Sequence, residues 1–203
     1  MMKGSPQGEP IRVETLTGHA LARSIDALAA LRISVFRAFP YLYYGDAAYE
    51  RAYLNAYIAS RDAVVIGAFD GDTLVGAATA APMEDHAQAF AAPFDARGHD
   101  LTDILYCGES VLLPAYRGKG LGHAFFDGRE AHARALGRRH VAFCAVIRAE
   151  DHPARPMDYA PLDPFWRKRG YAPLQGMTTD FAWKDIGDAH ETPKPMQFWM
   201  KAV

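Results

Sequence analysis

The chain has 203 residues, half of them hydrophobic, and its 22 basic side chains against 24 acidic ones leave a net charge of −2. At about 150 residues per domain, this length fits a flexible tail over 1–10 and one domain over 11–203 with a substantial core. Balanced charge excludes a dedicated nucleic-acid binder, which carries a basic stripe, and no run of about 18 apolar residues is present to cross a membrane. Cys107 and Cys144 lie in apolar runs without CxxC spacing, which argues against a disulfide framework or a zinc knuckle. They read as free core thiols, and with no signal-peptide pattern at the N-terminus the expected location is cytoplasmic.

In chain order, Ile11 to Leu16 alternates like a short strand, and Thr17-Gly18 offers a helix start. Leu21, Ile25, Leu28, Leu31 and Val35 then recur at helical spacing up to the stop at Pro40. An aromatic loop, Phe39-Pro40-Tyr41-Leu42-Tyr43-Tyr44, leads to a second helical pattern through Tyr49, Tyr53, Leu54 and Tyr57. Val64 to Phe69 and Thr73 to Ala80 flank Asp70-Gly71-Asp72 and read as a hairpin, because Asp-Gly supplies the positive φ of the turn. Residues 82–100 read as a long connection with a short helix. Asp103 to Leu112 reads as a third strand, Leu121 to Leu136 as a helix closed by Gly137, and Val141 to Ile147, apolar on both faces, as a central strand. That succession forms a βαβ unit. A Pro-rich loop, a short helix ending at Gly170, and two strands, Met177 to Trp183 and Met196 to Lys201, complete a mixed-sheet α/β domain. The terminal strands, exposed at a sheet edge, allow a homodimer.

Strand, glycine loop and helix meet at Arg117-Gly118-Lys119-Gly120-Leu121-Gly122. The first amides of a helix lack intrahelical acceptors and sit at the positive end of its dipole, so this junction is an anion site unless the glycines only shape a tight turn. Two phosphate fingerprints fail on spacing. A dinucleotide loop needs its third glycine one residue later and an acidic residue at the end of the next strand, which has none, and a triphosphate loop needs Ser or Thr where Gly120 stands.

The segment Leu112-Leu113-Pro114-Ala115-Tyr116-Arg117-Gly118-Lys119-Gly120-Leu121-Gly122 resembles the acyl-coenzyme A signature of the GNAT N-acetyltransferase superfamily, Gln/Arg-x-x-Gly-x-Gly/Ala, with Arg117, Gly120 and Gly122 in its three defined positions. The order of elements is also similar to that family outside the tail and the 82–100 connection. The resemblance implies a mostly antiparallel sheet of six to seven strands with helices on both faces and splayed central strands. It also implies acetyl-CoA as acyl donor and no metal. The amides of Arg117, Gly118, Lys119, Gly120, Leu121 and Gly122 would hold the pyrophosphate with His123 beside them. Val111, Leu112 and Leu113 would border the pantetheine arm, the amides of Leu112 and Leu113 facing the thioester carbonyl.

Glu109 is the acidic residue in the interior of the third strand, where a buried charge needs a reason. It reads either as the base that deprotonates an incoming amine or as a structural carboxylate. The family's usual helix Tyr, four residues before Gly170, is Trp166 here, so Tyr159 in the preceding loop is the substitute acid, with a packing role as the alternative. Tyr43 and Tyr44 are expected to form an aromatic lid over the acceptor, with Glu109 beneath it. His86, His99 and His152 fall in loops that border this region, and neither cysteine has a His at a spacing that suggests covalent catalysis. The expected activity is acetyl transfer to a primary amine of a small molecule by direct attack in a ternary complex. The rivals are a non-catalytic acyl-CoA binding module and a protein acetyltransferase.

Overall fold

A computed structural model describes residues 10–86 and 88–203, so the expected tail lies, apart from Pro10, outside the described residues. Eight strands, rather than six or seven, form one sheet: β1 (Arg12–Leu16), β2 (Val64–Asp70), β3 (Thr73–Pro82), β4 (Ile104–Tyr106), β5 (Ser110–Leu112), β6 (His140–Val146), β7 (Ala172–Trp183) and β8 (Thr192–Ala202). Their order is β1-β2-β3-β4-β6-β8-β7, with β5 also on β3. Every pairing is antiparallel except β4 with β6. That parallel pair needs a crossover, and α4 (Leu121–Ala135) supplies it.

Strand alternation sorts the core into two faces. Val64 and Ile66 on β2, Leu105 and Cys107, and Val141 and Phe143 on β6 pack with Phe125 and Phe126 of α4 on one face. Tyr106, Ala142 and Cys144, one residue out of phase, face the opposite side and pack with α3 (Gln88–Asp95) through Phe90 and Phe94. On that same face α1 (Gly18–Phe36) and α2 (Ala47–Ala59) cover β2, β3 and β5 through Leu28, Leu54 and Tyr57. Each such side chain, when fully buried, contributes about 1.5–3 kcal/mol of apolar transfer. Thr17 is the N-cap of α1, but its side chain makes no capping bond, whereas Asp46 caps α2 through the Tyr49 amide at 2.8 Å. The short helix α5 (Asp163–Lys168) is followed by Gly170, whose φ is +90°, where the sequence pattern places the stop.

The third strand corrects the expectation of one continuous element over Asp103 to Leu112. It breaks at Cys107, Gly108 and Glu109. Cys107 still donates to Ala142 of β6 at 2.8 Å, but Gly108 donates to Thr79 of β3 at 3.3 Å, and β5 then pairs with β3 alone. The break is tightly packed and admits only glycine at 108: a Cβ there would overlap the Tyr57 hydroxyl and come within 2.8 Å of Thr79 Oγ1. Beyond the break β5 and the far half of β6 are unpaired with each other, so the sheet splays open between them. Among the described residues, no helix is long and apolar enough to cross a membrane.

Candidate active site

Two features meet at the splay, one on each side of the sheet. At the first, Gly118 and Gly120 hold φ of +76° and +81°, a region that non-glycine residues occupy at a cost, and they turn the chain sharply into α4. Gly120 is the N-cap and has no side chain to cap with. Among the described residues, the amides of Gly118, Lys119, Gly120, Leu121 and Gly122 consequently have no hydrogen-bond acceptor. Arg117 to Gly120 are exposed, and so is His123, whose ring packs 5.0 Å from Phe165. Leu121 is buried in the core and contributes only backbone.

Two sequence expectations change here. The Arg117 amide donates to Pro114 O at 3.2 Å, so it is not part of the open row. The Leu113 amide is committed to Val75 O at 3.0 Å. Ladder alternation also commits the amide of Val111, a fully buried residue, to Ala77, and leaves that of Leu112 pointing away from β3 into the splay. Of the two amides expected at the thioester, that of Leu112 alone is aimed at the opening.

On the other face, between the α1–α2 pair and α3, lies a cavity of about 80 Å³. Its floor is the break itself, with Tyr106, Gly108 and Glu109, joined by Cys144 of β6 and Met196 of β8. Phe36, Tyr41, Tyr43 and Tyr53 form one wall, and Phe90, Phe181 and Trp183 form the other. Arg148 fixes the aromatic loop by donating to the carbonyls of Pro40 at 2.7 Å and Tyr41 at 2.9 Å while it pairs with Asp185.

Charge enters this apolar cavity as a buried triad. Arg32 of α1 binds Glu50 of α2 through Nε and Glu109 through Nη1. The three are 7%, 0% and 8% exposed. The guanidinium also stacks 4.4 Å from the Tyr53 ring centre. Burial alone would lower the pKa of Arg32, but the negative charge of Glu109 and Glu50, with Tyr53, outweighs it and holds the group firmly protonated. One oxygen of each carboxylate, Glu50 Oε1 and Glu109 Oε1, is buried without a partner. The Glu109 backbone is fixed as well, its carbonyl accepting from Thr79 N at 3.0 Å and Arg129 Nη1 at 3.2 Å. Burial pushes the hydroxyls of Tyr41 and Tyr53 above their ordinary range, so they remain neutral donors.

The structure brings Tyr43 to the cavity but not Tyr44, which is 53% exposed beneath the Lys184 ammonium. Tyr159 is absent from the lining and packs edge-on against Phe39 at 4.7 Å. Trp166 lies on the opposite face of the sheet, against Phe143 and Trp199. Cys144 donates to or accepts from Tyr106 at 2.9 Å, and burial pushes its thiol up to about 12; burial also raises Cys107, so both stay protonated. His86 sits behind Tyr106, edge-on at 4.7 Å, and burial pushes it down to about 4.

Sequence reading missed Arg32 and Glu50. The signal was present as a charge on each apolar stripe, since Arg32 follows Leu28 by four residues and Glu50 precedes Leu54 by four. Among the described residues, no group of three or more His, Cys, Asp or Glu side chains converges as a metal site.

The mixed α/β sheet thus carries a row of open amides behind the splay and a charged aromatic cavity in front of it. The profile of the acetyltransferase (GNAT) family matches residues 28–157, so the chain belongs to that family and is an acyltransferase. The family uses acetyl-CoA. A comparison with curated proteins gave no match. Among solved structures, the chain is similar to a ribosomal-protein-alanine N-acetyltransferase from Brucella melitensis, at 14% identity and TM-score 0.60 over 95% of this chain and 99% of that one. It is similar to a GNAT-family acetyltransferase from Streptococcus pneumoniae, at 13% identity and TM-score 0.59 over 96% and 100%. A third, yncA from Salmonella typhimurium, with its cofactor acetyl-CoA, shares 12% identity at TM-score 0.59 over 95% and 93%.

Proposed function

We propose that this acyltransferase moves an acetyl group from acetyl-CoA to a primary amine seated in the aromatic cavity, in a ternary complex. The observation that carries the reading is the placement of unpaired donors and unpaired carboxylate oxygens on opposite sides of one opening in the sheet. The open amides of Gly118 to Gly122, with the Arg117 and Lys119 side chains beside them, suit the pyrophosphate of the donor, and His123 stands at the same helix start. Acetyl-CoA supplies the activated acyl carbon.

The Leu112 N–H, the donor facing the splay, receives the thioester carbonyl oxygen as negative charge develops on it. Losing one such donor costs about 3 kcal/mol in comparable sites. Glu109 Oε1 accepts a hydrogen bond from the incoming ammonium and takes its proton. The freed nitrogen lone pair forms the C–N bond; as the C–S bond breaks, the second proton leaves the adduct nitrogen and reaches the departing sulfur through solvent at the opening, and Glu109 returns the first proton to solvent. Tyr159 is not assigned that last step, since its ring packs against Phe39 outside the cavity lining.

Glu109→Gln tests the base. With the Arg32 contact retained, kcat falls about 100-fold or more, while calorimetric affinity for acetyl-CoA stays unchanged. Near-normal turnover across pH removes Glu109 from this role, and a wild-type protein that fails to bind acetyl-CoA overturns the function itself.

A further inference from the structure

The cavity is not only apolar; it is polarised along its length. At the sheet end the triad carries two carboxylates against one guanidinium, a net charge of −1, with the partnerless oxygens Glu50 Oε1 and Glu109 Oε1. That arrangement lacks one cation with N–H groups to donate. At the far end stands Trp183, and behind it the sign reverses. The Lys194 ammonium lies 5.2 Å and the Arg148 guanidinium 5.8 Å from the Trp183 ring, with the single carboxylate of Asp185 between them. Neither cation is open to a ligand. Lys194 is spent on Trp183 O, Thr192 O and Thr192 Oγ1, Arg148 on Pro40 O, Tyr41 O and Asp185, and neither lines the cavity.

From this polarity, resting on the acetyl-transfer reading above, we propose that the acceptor is a small monoamine with an uncharged apolar body. Its ammonium lies between Glu50 and Glu109, and its hydrocarbon or aryl group lies against Phe90, Phe181 and Trp183. A second ammonium on the acceptor would be driven into an apolar wall backed by net positive charge, and a carboxylate would find no free cation there, since Lys194 and Arg148 are already spent. Glu50 thereby becomes a binding residue for the amine, distinct from Glu109 as its base.

The test uses the full chain, acetyl-CoA and matched amines, reading free thiol release. Hexylamine is compared with 1,6-diaminohexane and 6-aminohexanoate, 2-phenylethylamine with phenylalanine, and all of them with a short lysine peptide. The monoamines are expected to exceed every charged counterpart at least tenfold in kcat/KM. Glu50→Gln should raise the KM for hexylamine at least tenfold with acetyl-CoA affinity unchanged, and hexylamine should raise the Tm of the wild type more than that of this variant. Phe181→Asp, which places a carboxylate on the wall, should move preference at least tenfold toward 1,6-diaminohexane.

Equal or better use of the diamine, the amino acids or the peptide by the wild type overturns this acceptor class and leaves acetyl transfer standing. Binding of acetyl-CoA without turnover of any monoamine overturns it as well. Failure to bind acetyl-CoA overturns the functional reading on which it rests.

Discussion

Replacing Arg32 by Met would remove the one cation shared by two buried carboxylates while keeping much of the aliphatic volume. Glu50 and Glu109 are 0% and 8% exposed, so neither can recover solvation without opening the α1–α2 pair. Breaking a buried ion pair from one side costs about 3–5 kcal/mol, chiefly because the remaining charge is left uncompensated. We therefore expect a loss of about 4 kcal/mol, within the 5–15 kcal/mol of an ordinary domain (about 10 at the centre of that range), so that the variant still folds. With a urea slope of about 2 kcal/mol per molar, the unfolding midpoint drops by about 2 M. Urea titration followed by tryptophan fluorescence measures this, and the triple variant Arg32→Met, Glu50→Gln, Glu109→Gln should recover most of the loss. A single-variant loss under about 1 kcal/mol, or a triple variant no better than the single one, would refute the assignment of a charge-coupled triad.

Three further outcomes follow from particular atoms. Gly108→Ala should cost about 2–3 kcal/mol by overpacking, and Tyr57→Phe, which removes the hydroxyl that the new Cβ would overlap, should return part of it; urea midpoints of the single and double variants decide. Gly120→Ala has open space around its Cβ but a φ of +81°, so about 1–2 kcal/mol of conformational strain should appear as a weaker loop. Calorimetry should then show at least a fivefold loss of acetyl-CoA affinity, and unchanged affinity would detach this turn from donor binding. Because burial lowers His86 from 6.5 to about 4, the unfolded chain takes up its proton first as pH falls. Stability contributed by neutral His86 is therefore present above about pH 6.5 and lost progressively down to about 4, at most about 3 kcal/mol in all. His86→Gln should flatten the stability profile over that window, and an unchanged slope would refute this origin.

Local chemistry already determined much of this protein in the sequence. Asp-Gly at 70–71 and the glycines at 118, 120 and 122 can be read alone because a turn and a helix start are set by φ preferences within a few residues. The donor side of the site was legible for the same reason, since open amides are a property of one strand, one loop and one helix. What only the tertiary structure decided was the acceptor side. Arg32, Glu50 and Glu109 lie on three elements far apart in sequence, and their meeting depends on how α1 and α2 pack over β5. The need for glycine at 108 is likewise invisible in an apolar run, because the space a Cβ would take is filled by the Tyr57 hydroxyl arriving from α2. Which amide of Leu112 and Leu113 stays open followed from ladder register, a property of the strand pair and not of either residue. Apolar patterning can say that a residue is buried, but only the fold says which charge it is buried with.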